Sequence, residues 1–333
     1  MYKTSNSKND NSIYSKKDVV TKEKVETDPK IGTKPTERSM EKHLKYGIIN
    51  IDKPPGPTSH QVVAWIKKIL NFKKSGHAGT LDPKVSGVLP VAGEKVTKVM
   101  GNLLHGSKEY VASLYLHDEV EKDKIHETLK EFEGEIYQKP PQRSAVKRRL
   151  RTRKIHEIEY LDKKDRNLLI RISCESGTYI RKLCQHIGYL LGTGAHMDEL
   201  RRIRTGIFNE ESSITLHDLI DYYKFWKNGG EEKFLREAVF PVEKIVEDEK
   251  KIWIKDSAVS AIAHGADLAI PGISALTDGL NTEEQVAVLS MKGELVGIGE
   301  SVNNTEHILE NDKGLAVKIN KVIIPRDSYP KMW

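Results

Sequence analysis

The sequence predicts an α+β chain: a larger domain of interleaved strands and helices, followed by a small β-rich barrel. Three observations carry this. Within residues 41–248, short apolar runs of strand composition alternate with segments whose apolar residues recur at helical spacing. After about residue 250 the pattern changes to short strands separated by Gly, Asn and Asp turns, the grammar of a barrel-like module of about 75 residues. Residues 1–40 are rich in Lys, Ser, Thr, Asp and Asn, and such a segment buries too little apolar surface to offset its ordering entropy. The expected division is a flexible N-terminal extension over 1–40, a first domain over 41–248 and a second over 249–326.

Composition narrows the function. The 333 residues carry a formal net charge of +6, so the distribution of basic residues says more than their total. The two cysteines, Cys174 and Cys184, make neither a disulfide framework nor zinc spacing, and a reducing cytoplasm is expected. No signal peptide is expected, and no apolar run reaches membrane-spanning length. The twelve histidines lack ligand spacing, and P-loop, His-Glu-x-x-His, EF-hand and Gly-x-Ser-x-Gly motifs are missing. The chemistry is therefore expected to run on side chains, with no cofactor and no metal.

Residues 47–52 read as a short buried strand and 53–59 as a rigid Pro/Gly turn. Ser59 is placed to cap a helix with Val62, Ile66, Ile69 and Leu70 on one face. Lys67, Lys68, Lys73 and Lys74 near its end suit either the helix dipole or RNA. Residues 77–91 show neither helical nor strand period, and their Gly and Pro residues mark an ordered loop. Asp82 sits just before Pro83, which favours an extended, aimed carboxylate. An isolated Asp-Pro usually does no more than start a turn.

Residues 108–116 have strand composition, and 123–132 read as a short helix capped by Asp123. Residues 143–154 carry dense positive charge and no acid. Arg predominates there, and its planar fork pairs with phosphate oxygens, so Arg148, Arg149 and Arg151 are candidate RNA contacts; the alternative is a passive solvated arm. Residues 167–174 form a further strand. Thr178 can cap a helix over 179–191, ended by Gly192-Thr-Gly194. Arg181 then falls in the first turn, where a cation opposes the dipole, and this hints at a local need for positive charge beside the plain surface reading. Residues 200–206 add a second basic cluster, and helical segments follow around 216–226 and 231–238. In the second domain, 255–264 read as a helix, and strands are expected around 267–270, 285–290, 294–299 and 315–322.

Together these segments resemble a known family. Gly-Ile-Ile-Asn-Ile-Asp-Lys-Pro-Pro-Gly-Pro-Thr-Ser over 47–59, the 77–91 loop, Lys108-Glu-Tyr110, Ser176-Gly-Thr-Tyr-Ile-Arg181 and Leu200-Arg-Arg are similar to the signature series of TruB-type pseudouridine synthases, which isomerise uridine to pseudouridine in RNA. Arg-Lys-Leu-Cys-Gln-His-Ile-Gly over 181–188, Gly-Thr-Gly-Ala-His-Met over 192–197 and His-Gly-Ala-Asp-Leu-Ala-Ile-Pro-Gly over 264–272 resemble the dyskerin branch, the catalytic subunit of guide-RNA (H/ACA) particles. The last of these resembles a PUA RNA-binding barrel.

The resemblance implies the pseudouridine synthase fold, a mixed twisted sheet flanked by helices, with a PUA domain behind it. It implies Asp82 as the catalytic aspartate, Tyr110 as the aromatic packing on the target base and Arg181 as the ion-pair partner of the carboxylate. Tyr179 and Leu200 match pocket positions, and His77 matches the residue near the vacated stack. Composition alone would place Tyr110 in a strand core and Leu200 in helix packing. The implied partners are H/ACA guide RNA, substrate rRNA and tRNA, and three small proteins: a zinc-bearing or peptide-like scaffold, a Gly/Arg-type barrel protein and a kink-turn binder. The basic segment after Pro141 is compact beside the family's mobile loop, which leaves its substrate contacts open. No Lys-rich tail follows the barrel, so an archaeal source is expected. A stand-alone tRNA enzyme and a non-catalytic RNA scaffold are the rival readings.

The implied reaction breaks a C–N glycosidic bond, rotates the base and forms a C–C bond, with no net redox change. A carboxylate could serve as nucleophile or as base on the sugar. In a water-poor cleft it needs a cation to stay ionised, and Arg keeps its proton. Unstacking a uridine costs a few kcal/mol, which suits an aromatic platform and an apolar wall.

Overall fold

The computed structural model describes residues 18–101, 106–140 and 149–332. The described residues divide into two compact units, those within 44–240 and those within 18–43 together with 241–332.

The first unit is built on a mixed sheet. Its path runs through the strands Gly47–Lys53, Ser86–Gly93, Ala195–Thr205, Lys108–Leu116, Asn167–Cys174, Arg151–Lys164 and Gly134–Gln138. Along that path only Ser86–Gly93 and Ala195–Thr205 pair in parallel, at Ser86↔Arg201 and Gly87↔Arg202. The approach there is so close that a Cβ on Gly87 would lie 2.2 Å from the Arg202 carbonyl oxygen, and the φ of +101° also demands glycine. Lys108–Leu116 alternates strictly, with Tyr110, Ala112, Leu114 and Leu116 turned into the core.

The helix Ser59–Ile69 lays Val62 and Ile66 against this core, and Ile180–Leu191 packs on Ala195–Thr205. Gly188 permits that second contact, since a Cβ there would lie 2.1 Å from the Ala195 nitrogen. Thr58, not Ser59, caps the first helix, in a reciprocal capping box with Gln61. The second begins at Ile180 with Tyr179 as N-cap, while Thr178 bonds the Glu175 carbonyl instead. The short helix is Lys122–Lys130, with Glu121 at its cap and Asp123 in its first turn. The expected loop at 77–91 narrows to about 78–85, flanked by the strands Ser75–His77 and Ser86–Gly93.

The second unit holds a seven-stranded sheet in the order Val19–Thr21, Ile273–Thr277, Lys250–Ile254, Gln285–Ser290, Leu295–Ser301, Leu315–Val322 and Leu268–Ala269. Its core includes Ile252, Ile254, Val259, Ile273, Val286, Val288, Val296 and Val317.

Residues 18–40, expected to belong to a flexible extension, are instead integrated into this unit. Val19–Thr21 adds an antiparallel edge strand on Ile273–Thr277. The Lys22 ammonium caps the carbonyls of Ile308 at 2.9 Å and Asn311 at 2.8 Å. Buried Arg38 makes a two-pronged ion pair with Glu243, at 2.9 and 2.6 Å. Polar anchoring of this kind leaves no mark on hydropathy. Among the described residues no helix is long and apolar enough to cross a membrane, and both cysteines are free and buried.

Candidate active site

The loop that carries Asp82 is held from three sides. From below, the Ser59 hydroxyl accepts from the Leu81 nitrogen at 2.8 Å and donates to the Leu81 carbonyl at 3.1 Å. From one flank, Lys53, fully buried at the end of its strand, donates to the carbonyls of Pro54 at 3.0 Å, Pro83 at 3.1 Å and Val85 at 2.7 Å. From the other, Arg202 donates to the Val88 carbonyl at 2.8 Å and the Gly79 carbonyl at 3.1 Å. The Gly56 nitrogen also donates to Pro83, at 2.8 Å. A loop so short of regular structure must satisfy its carbonyls elsewhere, and these buried donors do so.

Asp82 stands clear of these clamps and pairs with Arg181, brought from 99 positions away by the start of the Ile180–Leu191 helix. The start itself is fixed by Gln138. Its buried amide oxygen accepts from the Tyr179 nitrogen at 2.9 Å, and its nitrogen donates to the Tyr179 carbonyl at 3.2 Å. This supplies the cap that no side chain of the helix provides. Arg181 opposes the helix dipole and is compensated by the aspartate. Both partners are about half exposed, 51% and 53%. The pair expected in a water-poor cleft is therefore half open to water in this chain.

Tyr110 is buried and lies opposite Arg202 on the neighbouring strand, with Ala112 opposite Leu200 two residues further on. The period of two places Tyr110, Ala112, Leu200 and Arg202 on one face of the sheet. Burial raises the Tyr110 phenol above its ordinary range, and the Arg202 charge draws it partly back. Leu200 is half-buried. Burial lowers Lys53, against the pull of the Asp82 charge, and pushes Lys108 down to about 8 with Arg202 adding to the effect.

His77 is half-buried and meets His60 edge-to-face, with ring centroids 5.3 Å apart. Burial, then the positive charges of His60 and Arg202, bring His77 down to about 4, so it is neutral at pH 7. The Tyr179 side chain is half-buried, two residues from Arg181. Arg149 is exposed, and Arg151 opens the strand Arg151–Lys164 opposite Gln138, the residue that holds Tyr179. Arg148 lies outside the described residues. Among the described residues no group of three or more His, Cys, Asp or Glu side chains could hold a metal.

Asp82 and Arg181 are thus brought into contact, and Tyr110 and Leu200 share a face with the residue that ties down Asp82's loop. Sequence reasoning missed Lys53, Ser59, Gln138 and Arg202 as parts of this assembly. A lysine ending an apolar strand, and an arginine alternating with Leu200, were the available signals.

The arrangement offers a carboxylate paired with a guanidinium on a loop whose carbonyls are tied down by Ser59, Lys53 and Arg202. Comparison with known proteins gives a consistent picture. Residues 67–180 match the N-terminal domain model of TruB family pseudouridylate synthases, and 181–247 match the tRNA pseudouridylate synthase B C-terminal domain. Residues 7–63 match the DKCLD (NUC011) domain and 250–323 the PUA domain. The probable tRNA pseudouridine synthase B of Pyrococcus abyssi is 57% identical over 320 residues, covering 96% of each chain. The protein of the same name in Methanocaldococcus jannaschii is 50% identical over 321 residues, again covering 96% of each.

Among solved structures, a chain of an H/ACA RNP bound to a substrate RNA containing 2′-deoxyuridine superposes with a TM-score of 0.87 at 55% identity, covering 95% of this chain and 97% of that one. A chain of a Cbf5-Nop10-Gar1 complex gives 0.87 at 57% identity, with the same coverage.

Proposed function

The chain belongs to the TruB family of pseudouridylate synthases, and from that premise we propose that it isomerises uridine in rRNA and tRNA as the catalytic subunit of a guide-directed H/ACA particle. The observation that carries the catalytic reading is the contact of Asp82 with Arg181 above a loop whose carbonyls are otherwise satisfied.

In this reading Asp82 attacks the sugar or removes a proton from it, and Arg181 keeps the carboxylate charged and aimed. Tyr110 packs on the target base, Leu200 and Tyr179 wall the pocket, and neutral His77 borders the stack the uridine leaves. The glycosidic C1′–N1 bond breaks, the base turns, C1′–C5 forms, and C5 loses the proton that N1 gains. Because Asp82 and Arg181 are half open to water, bound RNA closes the site over them.

Similarity to chains solved with Nop10, Gar1 and substrate RNA supports guide RNA, substrate RNA and small proteins of those two kinds as partners. A kink-turn binder rests on the family resemblance alone. The PUA-like unit would hold the guide RNA. Two buried free thiols suit a reducing cytoplasm. Arg149 and Arg151, with Arg148, are proposed to contact RNA phosphates. The names of the curated relatives also favour action on tRNA; the TΨC-loop uridine as target, reached without a guide, rests on the family resemblance alone.

The test is reconstitution with H/ACA guide RNA and the small proteins, followed by pseudouridine mapping. Asp82→Asn should abolish conversion while melting temperature and RNA affinity stay near those of the unsubstituted chain. Complete conversion of bare tRNA with no engagement of guide RNA would favour the stand-alone tRNA enzyme. Unchanged conversion by the Asp82→Asn chain would remove Asp82 as catalyst.

A further inference from the structure

Gln138 ends the strand Gly134–Gln138 and is 1% exposed. Its amide brackets one residue 41 positions on: the oxygen accepts from the Tyr179 nitrogen at 2.9 Å, and the nitrogen donates to the Tyr179 carbonyl at 3.2 Å. Those groups belong to the two peptide planes that flank the Tyr179 Cα, so both planes are held at once. The turn leading to Tyr179 hangs from the same pair of strands. The Glu175 nitrogen donates to the Lys154 carbonyl at 2.8 Å, and the Lys154 nitrogen donates to the Glu175 carboxylate at 3.1 Å. Residues 175–179 are thus fastened at both ends, to Gly134–Gln138 and to its antiparallel partner Arg151–Lys164.

The helix start that carries Arg181 has little of its own to hold it. No side chain of the helix caps it, its first turn has no acid, and Arg181 itself opposes the dipole. Asp82 and Arg181 are each about half exposed, and an ion pair so open to water orders its partners weakly. A long side chain on an uncapped helix end samples many orientations unless the backbone beneath it is fixed. Resting on the isomerase reading above, we infer that Gln138 is a positioning residue: its buried amide locks the backbone at Tyr179, so that the Arg181 guanidinium meets Asp82 in one orientation.

The residue type fits the task. Tyr179 presents an N–H and a carbonyl to the same side chain, and an amide offers one acceptor and one donor to match them. A carboxylate there would accept from the N–H but meet the carbonyl oxygen with a second acceptor. Protonating that carboxylate would restore the donor. A methionine would fill a similar volume and make neither bond.

A double-mutant cycle on the guide-assembled particle tests this, with single-turnover rate, RNA affinity and melting temperature read together. Gln138→Met should slow conversion about 10- to 100-fold when Arg181 is intact, and less than about 3-fold in an Arg181→Met background. RNA affinity should stay within about 3-fold. Gln138→Glu should share the defect at about pH 8 and recover towards about pH 5.5, each rate taken relative to the unsubstituted particle at the same pH, as the carboxyl regains its proton. If Gln138→Met fails to fold, Gln138→Glu at about pH 8 is read through the same cycle. An unchanged rate, or an equal factor with and without the Arg181 guanidinium, would make Gln138 a support of the fold alone and overturn the inference. An unsubstituted particle that forms no pseudouridine would overturn the isomerase reading itself, and this inference with it.

Discussion

The Ser59 hydroxyl makes two hydrogen bonds to one residue, Leu81, accepting from its nitrogen at 2.8 Å and donating to its carbonyl at 3.1 Å. Ser59 is fully buried, and Leu81 immediately precedes Asp82. The first turn of one helix thereby sets where the aspartate emerges. Ser59→Ala leaves a buried donor and a buried acceptor unpaired, which should cost on the order of 2 kcal/mol. The expected result is a lower melting temperature together with a reduced single-turnover rate at saturating RNA. A variant of unchanged stability and rate would mean that the loop holds Asp82 without this clamp.

Arg181 acts on the other end of the same relationship. An ion pair this exposed contributes about 0–1 kcal/mol to stability, so Arg181→Met should melt with the unsubstituted chain. Its single-turnover rate should fall by about two orders of magnitude or more, because Asp82 loses the donor that aims it. RNA affinity should change less than about 3-fold. Equal losses in rate and affinity would identify Arg181 as a phosphate contact.

The contact of Asp82 with Arg181 was legible because their short motifs lie at a turn and a helix start, where local chemistry restricts the residue type. The strand Ala195–Thr205 was not. Ala-His-Met-Asp-Glu-Leu-Arg-Arg-Ile-Arg-Thr has no β-branched alternation and reads as a basic surface segment. It becomes a strand because tertiary pairing on both sides outweighs its weak propensity, and because the buried Arg202 finds backbone carbonyls for its donors. Residues 18–40 failed for a related reason. Their anchors, Lys22 on helix-end carbonyls and Arg38 on Glu243, are polar groups that a hydropathy argument assigns to solvent. The caps at Ser59 and Thr178 were misplaced by one residue each, the ordinary uncertainty of helix ends.

His77 gives the chain a pH signature. Burial, followed by the charges of His60 and Arg202, lowers its folded pKa from 6.5 to about 4. Below pH 6.5 the unfolded chain takes up a proton that the folded chain refuses, so stability falls as pH drops from 6.5 towards 4 and levels off below. Above pH 6.5 the contribution is complete. The full effect is at most about 3 kcal/mol, less whatever solvent screening the half-buried ring retains. Melting curves at pH 4.5 and 7.5 should show a smaller pH difference for His77→Asn than for the unsubstituted chain. Equal differences would place the sensitive group elsewhere.

The basic strand entrance makes the last prediction. Arg149 is exposed, and Arg151 pairs in register with Gln138, whose amide holds the Tyr179 backbone at the start of the Arg181 helix. RNA lying along these arginines would therefore pass beside the helix start that carries Asp82's partner. Each phosphate neutralised contributes about 0.7–0.9 to the slope of log affinity against log salt. Replacing Arg148, Arg149 and Arg151 by Gln should flatten that slope by about 2 to 3 and weaken binding most at low salt, with affinities converging as salt rises. Melting temperature should hold, since Gln keeps the stem and polarity of each side chain. A slope identical to that of the unsubstituted chain would return this segment to a solvated arm and send the RNA path over another face of the sheet.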